Sequence, residues 1–149
     1  MPEQEAPATI IAFDYGQRRI GVAVGQTVTG SASPLGVVAN NSDNGPDFAR
    51  ITEMINEWRP TGLVVGLPLH ADGSASEMEK PVRAFAEALA RFDLPIELVD
   101  ERHTSQEAEQ TLVRARQAGS RGRIRKQDID AAAAVMIAER FLATRRLSP

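Results

Sequence analysis

The sequence predicts one α/β domain built on a mixed five-stranded sheet, with three antiparallel strands first, parallel strands after them, and helices on both faces. Three observations predict it. Residues 9–14 (TIIAFD) and 19–25 (RIGVAVG) are apolar and β-branched, and the intervening YGQR makes them read as a hairpin. From Asp47 the period changes: Phe48, Ile51, Ile55 and Trp58 fall at i, i+3, i+7 and i+10, one helical face. Beyond that helix, the wholly apolar run LVVG at 63–66 looks like a strand buried on both sides, and strands then alternate with helical patterns.

The remaining elements come in chain order. A short third strand is expected near residues 35–39, after a stop at Pro34. A second helix is expected within 76–91, with Val82, Phe85, Ala86 and Leu89 as its inner stripe. Ser76 and Glu79 have capping-box spacing there, and Pro81 is tolerable only near the helix start. Residues 96–99 form the next strand. Thr104 and Glu107 repeat the capping-box spacing, so a third helix should run from there to about Gln117. A last helix covers residues 129–144. The whole chain, 1–149, reads as a single domain, with 1–7 disordered and 118–126 a mobile basic loop.

At 149 residues the chain is long enough for one substantial core. It has no cysteine, which excludes disulfides and thiolate metal sites and fits a reducing cytoplasm. The polar, acidic start MPEQEAPA is not a signal peptide, and no apolar run approaches the roughly 20 residues needed to span a bilayer. The expectation is a cytoplasmic protein without a membrane partner. Net charge of −3 hides an asymmetry: residues 1–100 carry 7 basic and 14 acidic side chains, residues 101–149 carry 10 and 6. Arg114, Arg116, Arg121, Arg123, Arg125 and Lys126 fall together with no acid among them. Such a run is often only a solvated segment, but beside carboxylates it suits phosphate contact.

Three acids stand where chemistry is expected. Asp14 ends the first strand on the face of Ile10 and Ala12, an expensive place for a carboxylate unless it is paired or binds a metal. A turn-forming Asp is the competing reading. Glu101 follows the strand IELV, at the carboxyl end where open sheets bind ligands, and its neighbour Asp100 competes with it. Asp130 leads a stripe of Ala133, Ala134, Ile137, Ala138 and Phe141, apolar except for itself, so it should face inward near a helix start. Pairing with a buried arginine such as Arg19 is the alternative for it. Asp128, on roughly the opposite side, reads as an N-cap. Oxygen ligands without His or Cys suit Mg²⁺ or Mn²⁺, two ions of which activate a water and stabilise a departing oxygen in phosphoryl displacement. Asp14, on the central strand, is the natural bridge between them.

The segments AFDYGQRRIGVAVGQ (12–26), VVGLPLHADGS (64–74), VDERHTS (99–105) and KQDIDAAAAVMIAERFL (126–142) together resemble the YqgF/RuvX family of Holliday-junction resolvases, also described as pre-16S rRNA nucleases. The resemblance covers nearly the whole chain. It implies a ribonuclease H-like fold and a divalent-metal endonuclease whose acids map onto Asp14, Glu101 and Asp130. Gly25-Gln26 departs from the Ser-Asp common at that place, so one further acid is missing here, and His103 stands where Leu is frequent. The resemblance also suggests that Gly66, Pro68, Asp72 and Gly73 form a loop beside the site. A plain strand-to-helix connection explains these turn residues equally well, and His70 reads as exposed. Arg102 and Lys126 are the leading phosphate contacts, with Arg121, Arg123 and Arg125 in the basic run and Arg18 and Arg19 in the hairpin turn behind them.

The expected partner is nucleic acid, either structured RNA such as pre-16S rRNA or branched DNA, cut by a monomer or homodimer. Aromatic residues make up 5% of the chain, which favours recognition of backbone and shape over extensive base stacking. A non-catalytic binding factor is the rival class, and three inward acids repelling phosphate oppose it. An ATP-using relative of the same topology would need a second domain, for which 149 residues leave no room.

Overall fold

A computed structural model describes residues 8–41, 43–68, 77–100 and 126–147; for 126–130 and 145–147 it describes the backbone alone. The strands are β1 (Thr9–Tyr15), β2 (Arg19–Gln26), β3 (Ser31–Asn41), β4 (Gly45–Pro46), β5 (Gly62–Leu67) and β6 (Ile96–Asp100). The helices are α1 (Phe48–Trp58), α2 (Glu79–Ala88), which runs on into a 3₁₀ turn (Leu89–Phe92), and α3 (Lys126–Leu147). They form one mixed sheet of order β4-β3-β2-β1-β5-β6. β1 is antiparallel to β2 and parallel to β5, and β6 is parallel to β5. The sheet thus has six strands where the sequence predicts five. The extra one, β4, is two residues pairing Asn40 with Pro46 and Asn41 with Gly45, too short to show a period of its own.

Two cores sit on the two faces. Ile11, Phe13, Ile20, Val22, Val38, Leu63 and Val65 face α1 and α2, whose Ile51, Met54, Val82 and Phe85, with Leu89 beyond them, complete that cluster. Phe13 and Phe85 meet edge to face at 5.5 Å, and Phe48 stacks on Phe85 at 6.3 Å, inside the range where aromatic pairs attract. On the other face Ile10, Ala12 and Val64 pack against Ile137, Ala138 and Leu142 of α3. Small residues make that contact close. A Cβ at Gly25 would come within 3.1 Å of both Ile10 and Leu142, so this glycine admits the helix.

Several expectations hold in detail. α1 begins where the period changes, with Asp47 capping it by accepting from the Arg50 N–H, and the inner stripe of α2 is the one its period gives. Others need correction. Pro34 does not stop a strand but lies inside β3, at a register shift between Val22 and Ala23, where the bulge leaves Leu35 without a partner. β4 pairs with Asn40 and Asn41, so among the described residues no strand covers the edge at Pro34. α2 begins at Glu79 with Met78 in the cap position and no side-chain cap bond, and Ser76 of the expected capping box lies outside the described residues. Asp128 is no N-cap either, because α3 already begins at Lys126, the residue read as the end of a basic loop. The expected helix at 104–117, the rest of the loop at 118–126 and the tail at 1–7 lie outside the described residues.

Candidate functional site

Asp14 is the sixth residue of β1, the central strand, and alternation decides which way it faces. Ile11, Phe13 and Tyr15 belong to the α1/α2 face, while Ile10 and Ala12 belong to the α3 face. Asp14 continues the second set and is half-buried. Directly across β2 its partner is Gly21. On the other side the last parallel pair is Phe13–Val65, so the next step sets Asp14 beside Gly66, itself buried within β5. Neither neighbour has a side chain. The space beside the carboxylate is therefore left unfilled by the strands that flank it.

At the sheet's far edge the same alternation gives Asp100 a face. Ile96 packs with the α1/α2 cluster and Val99 with the α3 cluster, and Asp100 has the parity of Ile96, though as the last residue of β6 it lines a cavity with Arg140, Phe141 and Thr144 of α3. The Asp100 carbonyl oxygen accepts a 2.9 Å hydrogen bond from Nη1 of Arg140 on α3. This bond ties the last helix to the carboxyl end of β6, and sequence reasoning missed it because it joins residues 40 positions apart. Along α3 the buried residues are Ala131, Ala133, Ala134, Ile137, Ala138 and Leu142, and Asp130 stands one turn before Ala134. The Asp130 side chain lies outside the described residues, as do Glu101, Arg102, Asp72, Gly73, Arg121, Arg123, Arg125, His70, His103 and the side chain of Lys126. Among the described residues no three His, Cys, Asp or Glu side chains come together as a metal site.

The hairpin turn after Asp14 is tight. A Cβ on Gly16 would lie 2.5 Å from the Arg19 carbonyl oxygen, so only glycine fits. Asn40, 8% exposed, donates from Nδ2 to the Gly16 carbonyl at 2.7 Å, and its backbone N–H donates to the Arg18 carbonyl at 2.9 Å. Asn40 is a clamp that no local pattern announces. Arg19 opens β2 and is exposed. It lies diagonally across from Asp14, two places before Gly21, within reach of a long side chain. Pro68 directly follows β5 and is half-buried. Burial on α3 pushes the Glu139 carboxyl above its ordinary value.

Residues 8–144 match the RuvX family, described as Holliday junction resolvases. The chain belongs to this family. RuvX relatives include a protein of Burkholderia lata named "Putative pre-16S rRNA nuclease", 46% identical over 136 residues, covering 91% of this chain and 89% of that one. An Azotobacter vinelandii protein of the same name is 45% identical over 141 residues, covering 93% and 96%. Among solved structures, Thermus thermophilus RuvC in complex with a Holliday junction substrate superposes with a TM-score of 0.58 at 17% identity, covering 93% of this chain and 96% of that one. RuvC alone gives 0.55 at 16% identity. The fold is therefore ribonuclease H-like, as the RuvX resemblance of the sequence implies. No helix among the described residues is long and apolar enough to cross a membrane.

Proposed function

We propose that this RuvX chain is a divalent-metal-dependent endonuclease that hydrolyses nucleic-acid phosphodiester bonds, acting in 5′-end maturation of pre-16S rRNA in the cytoplasm. One observation carries the reading: a half-buried carboxylate, Asp14, at the end of the central strand, on the α3 face, between two positions without side chains. A carboxylate at a half-buried strand end, flanked by residues that bring no side chains of their own, is placed to take a cation as a ligand. Glu101 directly follows Asp100, the last residue of β6, at the carboxyl end of the sheet. Asp130, one turn before fully buried Ala134, leads the helix packed on the face of Asp14. The three acids would thus converge at the carboxyl end of the sheet.

An all-oxygen donor set fits Mg²⁺ or Mn²⁺, and Asp14, Glu101 and Asp130 would hold two such ions. When bound, they supply a nucleophilic water and charge neutralisation at the departing oxygen. The chain's own task is to orient its carboxylates and to seat the phosphate. Arg102, Lys126 and the arginines at 121, 123 and 125 would neutralise the backbone, with Arg19 reaching the site from β2. Gly66, Pro68, Asp72 and Gly73 would border it.

The substrate assignment rests on the curated relatives, named for pre-16S rRNA. A four-way DNA junction is the second reading, favoured by the family's description as Holliday junction resolvases. A monomer suffices for the first, whereas a two-fold junction favours a homodimer. The test is incubation of purified protein with RNA spanning the 5′ boundary of 16S rRNA and with a DNA junction, in Mg²⁺, Mn²⁺ or chelator. Metal-dependent cuts at the RNA boundary support the proposal; binding without any cut in either metal refutes it.

A further inference from the structure

On the opposite face of the sheet from Asp14, a groove of about 640 Å³ is lined by Tyr15, Gln17, Arg18, Asn40, Asn41, Gly45 and Pro81. Its size is within the range of about 300–1,000 Å³ typical of ligand sites. The walls are held by contacts within the protein. Asn40 clamps the turn through the Gly16 and Arg18 carbonyls, and β4 anchors Asn40 and Asn41. Tyr15 is held from behind by Phe85, with ring centroids 5.1 Å apart.

The lining has one chemical character. Arg18 is an exposed guanidinium; Gln17 and Asn41 are exposed carboxamides; Tyr15 adds an aromatic wall. Among the described lining residues there is no carboxylate. A guanidinium suits a phosphate, and carboxamides donate to and accept from the edges of unpaired bases. Asn40 Nδ2 gives one of its two N–H donors to Gly16, which leaves that residue a second N–H and a carbonyl oxygen. Tyr15 follows Asp14 directly, and alternation sends the two to opposite faces at the sheet's end. A nucleic-acid strand crossing that end meets the acid on one side and the groove on the other.

We propose that this groove holds an unpaired nucleotide next to the one being cut, with Arg18 on its phosphate and Asn41 on its base. The inference rests on the nuclease reading and specifies its substrate: a strand left single at the position flanking the cut. A fully paired duplex cannot turn a base into the groove without breaking the pair.

The test uses the full chain and two RNA substrates identical around the cut, one leaving the flanking nucleotide unpaired and one pairing it with a complementary strand. Steady-state cleavage and binding by fluorescence anisotropy are measured for wild type, Arg18→Glu and Asn41→Asp. Both positions are exposed, and circular dichroism checks that the variants fold. Wild type is expected to prefer the unpaired substrate by about tenfold, the scale of one charge-assisted contact. Each variant should lose most of that preference, through KM. Equal cleavage of both substrates by wild type, or an unchanged preference in both variants, overturns the groove proposal and leaves the nuclease reading standing. No metal-dependent cleavage of either substrate overturns both.

Discussion

Arg140 Nη1 donates to the Asp100 carbonyl oxygen at 2.9 Å, joining the helix that begins four residues before Asp130 to the strand that ends one residue before Glu101. In the proposed centre two of three acids are carried by these elements, so the bond sets one against the other. Arg140→Met keeps the side chain's bulk and removes the donor. Its cost in stability is expected at about 1.5–3 kcal/mol, the value of a hydrogen bond to a charged group. Cleavage should fall further than the folded fraction does, and Arg140→Lys should recover part of it. Urea denaturation beside initial-rate measurements separates the two effects.

Gly21 and Gly66 give the second prediction. Alanine in a strand interior is intrinsically better than glycine by about 0.5–1 kcal/mol, so a plain structural role for Gly21 would leave Gly21→Ala near neutral or stabilised. If metal or phosphate needs the position that glycine leaves without a side chain beside Asp14, Gly21→Val lowers activity at least tenfold while circular dichroism shows the fold retained. Full activity in a folded Gly21→Val protein removes this glycine from the mechanism.

Ala134 and Ala138 are fully buried between α3 and the sheet. Ala138→Leu overfills that contact and should cost about 1–3 kcal/mol. Ile137→Ala, on the same stripe, leaves a cavity and should cost about 2–5 kcal/mol. Thermal melts of the two variants test whether the helix packs as closely as its alanines permit.

Glu139 has its carboxyl pushed above the ordinary 4.5 by burial. The folded state then holds a proton more tightly than the unfolded one, so its contribution is full below that ordinary value and is lost as pH rises through the folded value. Glu139→Gln should therefore raise the melting temperature at neutral pH and flatten the fall in stability above pH 4.5. An unchanged profile would mean that Glu139 is solvated.

Much of the fold was legible in the sequence, for reasons that differ by element. The hairpin, α1 and the inner stripe of α2 are short-range patterns, and each is where its period places it. Asp14 could be given a face by alternation alone, because Ile10 and Ala12 share it. What is missing is long-range. That Gly21 and Gly66 flank Asp14 depends on the register of β1 with two other strands, one of them some 50 positions away. The Asn40 clamp and the Arg140 tie are likewise contacts between distant segments. Pro34 misled because a bulge at a sheet edge removes the usual objection to proline in a strand.

The proposed metal centre is tested most directly by the initial rate of RNA cleavage as a function of Mn²⁺ concentration, for wild type and for Asp14→Asn. The substitution keeps size and shape and removes one negative charge from the central strand's end. Wild type should show a rate that rises with Mn²⁺ and vanishes in chelator. Asp14→Asn should be folded and slower by about 10²-fold or more, the scale seen when one electrostatic partner of a transition state is removed. Cleavage by Asp14→Asn at the wild-type rate, with the same Mn²⁺ dependence, would contradict the assignment of Asp14 to the centre.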